Sequence, residues 1–470
     1  MAAGGVLRGA GTMVASRAFG LVFTFVQIKL SVSYLSPYGY GLLSTAVLLV
    51  GAFEVLTELG LGNIVVRRVS GGADLHHTVG LAKAIALSIM LPLVALAMAT
   101  GFALYDDPQV LQGVSIVAVG LAATVWSATF VPIAQLSDKF GGVSMADVTG
   151  RIVSLSIVVA AVVLDLGLTA FFVAQLGAPL ARALISHLWG RRQGHFPPIF
   201  AWPQMWSLLR EALPLTYIAV VSGLYFQLDG LLLTKLTTPT DVGAYNLAYR
   251  IIVNLNIIGT AVAAVLIARF SRAAAESDAN YRRVLRLATP PMLALCLPVA
   301  LLLWPFSPDL IRLVGSEEFV PISTHPLSLL WIAASISLLT TVISSALVAG
   351  HAQNFLATLN TVNLMFNLAL NLVLIPRYGA TGAAIALICT EFSGLVVCLV
   401  MLTRRLSRFI PLRATLTLVA CTLAALVVEH LLGDVYWLLR GLLVVVTFYG
   451  LAVLTRAVTL KDLRELSESA

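Results

Sequence analysis

Charge is what this chain has least of. Only 11% of its 470 residues are Asp, Glu, Lys or Arg, while 59% are hydrophobic, and the mean hydropathy is +0.96. Soluble domains carry about 25% charged residues, so a soluble globular fold is excluded. Cysteine is scarce as well. Cys296, Cys389, Cys398 and Cys421 all lie in apolar runs without metal-ligand spacing, and they read as small core hydrophobes. The chain has no GxxxxGK[ST] nucleotide loop, no HExxH and no CxxC. No cofactor is therefore expected, no metal site, and no ATP-driven step on this chain. The formal net charge of +7 sits in short connections between apolar runs, so it points to a membrane face and not to nucleic acid.

What the chain has is apolar runs of spanning length, from the first 30 residues to the last 20. That pattern means an all-α polytopic membrane protein. About fourteen transmembrane helices are expected, the first near 11–34, the second near 41–65, the seventh near 212–235, the eighth near 241–268 and the eleventh near 354–375. The first run shows no small-residue cleavage site and reads as a retained helix. Alternate connections are basic: Arg67 and Arg68, Lys139, Arg191 and Arg192, then Arg269, Arg272, Arg282, Arg283 and Arg286, and finally Arg404, Arg405 and Arg408. The opposite connections, such as YDDPQ, LDLG and GSEEF, are acidic or nearly neutral. The positive-inside rule then puts both termini in the cytoplasm. The amphipathic stretch WPQMWSLLREAL reads as a piece lying along the membrane surface.

An internal repeat organises these helices. A shift of 202 positions aligns QIKLSVSYLSPYGYGLL, from Gln27, with DGLLLTKLTTPTDVGAY, from Asp229. It lays Pro37 on Pro239 and Gly41 on Gly243. Further on, at a shift of 212, DLGLTAFFVA aligns with RYGATGAAIA, with Gly167 on Gly379. Two homologous six-helix lobes are the expected architecture: an N-lobe over 1–190, a cytoplasmic linker over 191–211, a C-lobe over 212–403, and two extra helices with a tail over 404–470. Both first helices start on the same side, which makes the repeat parallel.

The stretches VGAYNLAYR, PRYGATGAAIA and YLSPYGYGLLSTAVLLVGAFEVLTELGLGNIVVRR resemble the polysaccharide flippases. These are the Wzx-type transporters of the multidrug/oligosaccharidyl-lipid/polysaccharide exporter superfamily. The resemblance implies a carrier of lipid-linked oligosaccharide, usually on undecaprenyl diphosphate, in a bacterial cytoplasmic membrane. It implies surface-polysaccharide biosynthesis, with glycan polymerase machinery as a candidate partner. A drug/cation antiporter and a peptidoglycan-precursor flippase share the architecture. A membrane glycosyltransferase or polymerase is the alternative of another class; it needs catalytic carboxylates near an interface and a sizeable loop, and neither is visible.

Ionisable groups at membrane depth are costly unless paired or hydrated, so each is a candidate site residue. Arg17, Gln27, Thr24 and Ser31 fall within roughly 80° of one helix face, which can line a wet cavity. Arg17 is either a phosphate ligand or an interface anchor. Glu54 and Glu58 lie one turn apart and repel; cation coupling competes with pairing to Arg17 or Lys29. Asp147 and Arg151 can pair along their helix, or Arg151 can meet substrate. Asp229 and Arg250 form either a buried ion pair or a cavity in which Arg250 meets diphosphate or sugar while Asp229 titrates or binds a cation. Asn360, Asn363, Asn367 and Asn371 also share roughly 80° of one face. Such a row bonds across a helix interface or lines a hydrated cavity facing sugar hydroxyls.

Overall fold

Helix starts in this chain are written with short polar residues and proline. The computed structural model describes residues 20, 22–57, 59–253, 256–406, 409–433 and 435–458. Among these there are helices and turns but no strand, in agreement with the all-α expectation. Packing divides the chain into two compact units, Met1–Gly243 and Ala244–Ala470.

The first unit begins with α1 (22–34). Helix α2 (Pro37–Glu54) is capped by Ser36, whose side chain accepts from the Gly39 amide at 3.2 Å, with proline in its first turn. Helices α3 (Leu61–Ser70) and α4 (Leu75–Leu104) follow; Asp74 caps α4 by accepting from the His77 amide at 2.6 Å. Asp107 does the same for α5 (Pro108–Ala128) at 2.8 Å. The unit continues with α6 (Val131–Leu136), α7 (Gly141–Val163), α8 (Leu168–Gln193) and α9 (Trp202–Leu236).

Two expected spans are interrupted. The second breaks over 55–60, where Leu59 and Gly60 take positive φ of 47° and 64°. The fourth, expected near 110–136, breaks at 129–130, between α5 and α6. The stretch WPQMWSLLREAL is not a separate piece: it opens α9, a continuous helix of 35 residues. At 1.5 Å per residue α9 is about 50 Å long, against a hydrocarbon core of about 30 Å, so a good part of it lies outside the apolar layer.

In the second unit α10 (Pro239–Val253) carries the chain over the boundary, then α11 (Asn256–Glu276) and α12 (Asp278–Leu297) form a hairpin. A π turn at Pro298–Leu302 and a short 3₁₀ turn lead into α13 (Ser307–Val314), followed by α14 (Val320–Ala349). Gln353–Leu406 (α15) is two helices joined at Gly379, whose φ is 54° and ψ −133°. Helices α16 (Leu412–Leu431) and α17 (Trp437–Leu454) end the described chain. Ten helical stretches among the described residues are long and apolar enough to cross a membrane by length and composition, Gln353–Leu406 being counted once.

The landmarks of the internal repeat each have a backbone reason. A Cβ on Gly41 would run into the Pro239 carbonyl, and one on Gly243 would run into the Pro37 carbonyl. The repeated motifs therefore touch one another reciprocally. Gly167 and Gly379 both hold positive φ, 70° and 54°, a region open to glycine at little cost.

Candidate functional site

Polar groups in the first unit gather along α1 and α7. Arg151 on α7 donates through Nη1 to the Gly20 carbonyl at 3.1 Å and to Thr24 Oγ1 at 2.8 Å. One turn on, Gln27 Nε2 donates to Ser154 Oγ at 3.1 Å, and the Ser154 hydroxyl donates to the Ala174 carbonyl on α8 at 2.8 Å. This chain of bonds ties three helices together. Among the described residues it gives Arg151 only neutral acceptors, and its side chain is exposed. Asp147, expected to pair with Arg151 along the helix, instead faces Arg182 of α8 at 3.6 Å. Arg182 lies on a neighbouring helix and supplies the nearer charge, while Arg151 is held toward α1. Arg17 and Glu58 lie outside the described residues.

Glu54 is the last residue of α2, at the lip of the break, and its side chain is exposed. Beyond it the broken α2–α3 and α5–α6 helices enclose a cavity of about 100 Å³ whose polar lining is Thr57, Asn63, Thr129 and Gln135. Thr57 and Thr129 spend their hydroxyl protons on backbone carbonyls three residues back, at 2.7 and 2.8 Å. The Asn63 and Gln135 side chains are exposed. Irregular backbone at membrane depth is tolerated where it is buried in protein or lines a wet cavity.

Helix α9 packs on α2 through a glycine-lined seam. Gln227 Nε2 donates to the Gly51 carbonyl at 3.2 Å, and a Cβ on Gly230 would meet Leu48 at 3.0 Å. Asp229 sits beside that contact, with 4% exposure. It belongs to the first unit; Arg250 belongs to the second. There Arg250 is half-buried and donates through Nε to Asn246 Oδ1 at 3.2 Å, one turn earlier on α10.

The asparagine row is divided by burial. Asn360 is exposed and Asn363 half-buried, whereas Asn367 and Asn371 are fully buried. Asn371 Nδ2 donates to Asn367 Oδ1 at 2.9 Å and to its carbonyl at 3.0 Å. Asn367 Nδ2 reaches Thr390 Oγ1, across the fold-back, at 3.4 Å. A Cβ on Gly394 would meet Asn363 Nδ2 at 2.7 Å, and Glu391 is buried in the same helix. Asn367 is thus committed to bonding across the fold-back, and Asn371 to Asn367 one turn earlier on its own helix.

A family model described as "Polysaccharide biosynthesis protein" matches residues 6–274, more than half of the chain. The chain belongs to the polysaccharide biosynthesis protein family. A second model, MatE, matches residues 214–373. Among curated proteins, the "Probable low-salt glycan biosynthesis flippase Agl15" of Haloferax volcanii is 23% identical over 218 residues, 46% of this chain and 45% of its own length. The chain therefore spans less than half the length of that relative. Among solved structures, "Lipid II flippase MurJ, inward closed conformation" has a TM-score of 0.79 at 14% identity, over 97% of this chain and 100% of that one. An inward-facing multidrug resistance MATE family transporter has 0.67 at 13% identity, over 82% and 94%. A MOP superfamily transporter from Pyrococcus furiosus has 0.56 at 12% identity, over 86% and 96%. These likenesses establish the fold.

Some polar residues of this family member were not singled out from sequence. Lys83 is buried within α4, donates to the Phe196 carbonyl at 3.1 Å, and lies 4.5 Å from the Phe130 ring centroid and 5.5 Å from those of Trp126 and Phe196. A lone lysine inside an apolar helix was the available signal. Asn63 and Gln135 had none, because nothing in their neighbourhood announces that both helices break.

Proposed function

We propose that this chain is a flippase that moves a prenyl-diphosphate-linked oligosaccharide, carried on undecaprenyl diphosphate in the simplest case, across the bacterial cytoplasmic membrane by alternating access for surface-polysaccharide biosynthesis. Within that reading the chain has about fourteen spans, in lobes 1–190 and 212–403 joined by a linker and followed by two appended helices, with both termini cytoplasmic. Arg151 is the observation that carries it. Its guanidinium is exposed at the side of a helix long and apolar enough to cross a membrane, and among the described residues it is bonded only to neutral oxygens. An uncompensated planar donor of this kind suits a diphosphate, which accepts two parallel hydrogen bonds from one guanidinium. Relatives named as a glycan biosynthesis flippase and a lipid II flippase support the same cargo class. Arg17, Gln27 and Arg250 are further candidates on the cargo path, and the exposed Asn360 with Asn363 are candidates for sugar hydroxyls. Asn367 and Asn371 are proposed to hold that face in register.

The test is mass spectrometry of prenyl-diphosphate-linked glycans in the native host before and after depletion of this protein. One complete, unpolymerised repeat unit should accumulate while surface glycan falls. An unchanged lipid-linked pool in a host with no redundant carrier overturns the reading.

The exposed Glu54, without an ion-pair partner among the described residues, favours a second element: coupling of transport to a cation, with Glu58 and Asp229 as further candidates. Glu54→Gln should weaken the dependence of export on proton or sodium gradient. An unaltered gradient dependence removes Glu54 from the coupling.

A further inference from the structure

The hairpin of α11 and α12 carries five arginines, Arg269, Arg272, Arg282, Arg283 and Arg286, against two carboxylates, Glu276 and Asp278. Glu276 is already engaged, accepting from Asn280 Nδ2 at 2.5 Å. Arg269 is only 6% exposed, and its Nη1 is fully buried without a hydrogen-bond partner. On the other arm, the Nε of Arg282 is likewise buried and unpartnered. Neither side chain has an ion pair among the described residues.

The two arms meet through the rings of Phe270 and Tyr281, 6.3 Å apart. Arg269 precedes the first of these and Arg282 follows the second. The junction is rigid: Phe270 and Tyr281 are fully buried, and the Tyr281 hydroxyl donates to the Ala346 carbonyl of α14. Two guanidiniums are therefore held on fixed backbone at the basic end of one hairpin. Arginine does not shed its proton, and a buried charge with no counter-charge is costly. Water can occupy an orphan N–H, but it leaves the charge uncompensated.

We propose that the basic end of the α11–α12 hairpin binds a phosphate-bearing anion, with the buried Arg269 and the half-buried Arg282 as its ligands. A phosphate group fits the donors because its oxygens accept paired N–H bonds from guanidinium forks and its charge offsets both arms at once. The same chemistry is offered by the headgroup of an anionic lipid and by a free phosphate. In the topology proposed above this end lies at the cytoplasmic membrane face, where both sources can reach it. Occupancy here is read without any transport assay.

The full-length protein, purified in detergent, is titrated separately with phosphatidylglycerol in mixed micelles and with inorganic pyrophosphate. Binding is followed by native mass spectrometry, and hydrogen–deuterium exchange is read on the peptide covering 266–286. One of the two probes should bind and protect that peptide, and the one that does names the source. The double variant Arg269→Gln with Arg282→Gln should bind at least about tenfold more weakly, while Arg191→Gln with Arg192→Gln, an equal loss of charge in the other unit, should bind as the unaltered protein does. Where the glutamine pair fails to fold, the lysine variants at 269 and 282, which keep the charge but lose the fork, should still weaken binding several-fold. The site is overturned if neither probe protects 266–286, if both charge-loss pairs weaken binding equally, or if the lysine variants bind normally.

Discussion

At the scale of single residues, Arg151 and Asn367 illustrate opposite uses of a polar group at membrane depth. Arg151 keeps its charge exposed, and its two bonds to α1 go to neutral oxygens and compensate no charge, so removing it should affect cargo more than fold. In a depleted host, Arg151→Ala at normal abundance should lower glycan export about tenfold or more, in keeping with the loss of a charge-assisted hydrogen bond. Arg151→Lys should restore part of it. Export unchanged by the alanine variant would remove this residue from the path. Asn367 is the reverse case, fully buried and bonded to Asn371 and Thr390. Asn367→Ala strands those partners and should cost about 1–3 kcal/mol of stability, read as a lower melting temperature in detergent. The polar face of the eleventh expected span was legible from its four-residue spacing. Its division into buried and exposed halves was not, because periodicity gives direction and carries no information about which neighbour packs there.

At the scale of elements, the informative features are the breaks and the close approaches. Hydropathy reads VLTELG as a continuation of its helix, since leucine and valine dominate the stretch, yet the chain leaves the helix there through Leu59 and Gly60. A Cβ on Gly60 would meet Leu215 Cβ at 2.8 Å, and the backbone at Gly60 has a φ of 64°. Position 60 is therefore closed to side chains on two counts. Gly41 is closed by the Pro239 carbonyl. Gly41→Leu should overpack the α2–α10 contact and cost about 1–3 kcal/mol or more, seen as lost abundance and a lower melting temperature. Gly72→Leu, at a position with no atom within 4 Å of a Cβ, should cost much less despite the positive φ there. A similar loss for both variants would mean that general backbone strain, and not the close approach, sets the effect. Glycine and proline were visible in the sequence at these places, but the contact between them was not, for it joins residues about two hundred positions apart.

At the scale of the whole molecule, membrane character was legible in the low charge content of 11%, and helical class in apolar runs of spanning length. Orientation rests on the basic connections. In a variant with all four cysteines replaced, Gly72→Cys should resist a membrane-impermeant maleimide applied to intact cells, and Leu166→Cys should react. The reverse pattern would invert the assigned topology. The fold-back of Gln353–Leu406 at Gly379 was legible, since separate spans were expected near 354–375 and 379–402; that α9 runs on through an amphipathic beginning was not, because hydropathy does not show where a helix starts.

The reciprocal contact between the two Pro–Gly motifs also bears on descent. Duplicated halves of a chain drift apart wherever a new side chain can be accommodated, and in a membrane most apolar exchanges can be. Gly41 and Gly243 are pressed against each other's repeat, so neither copy can gain bulk without striking its sibling. Gly167 and Gly379 are held by their own backbone. On the proposed duplication, the glycines at which the two copies match are the positions where geometry leaves least room for a side chain.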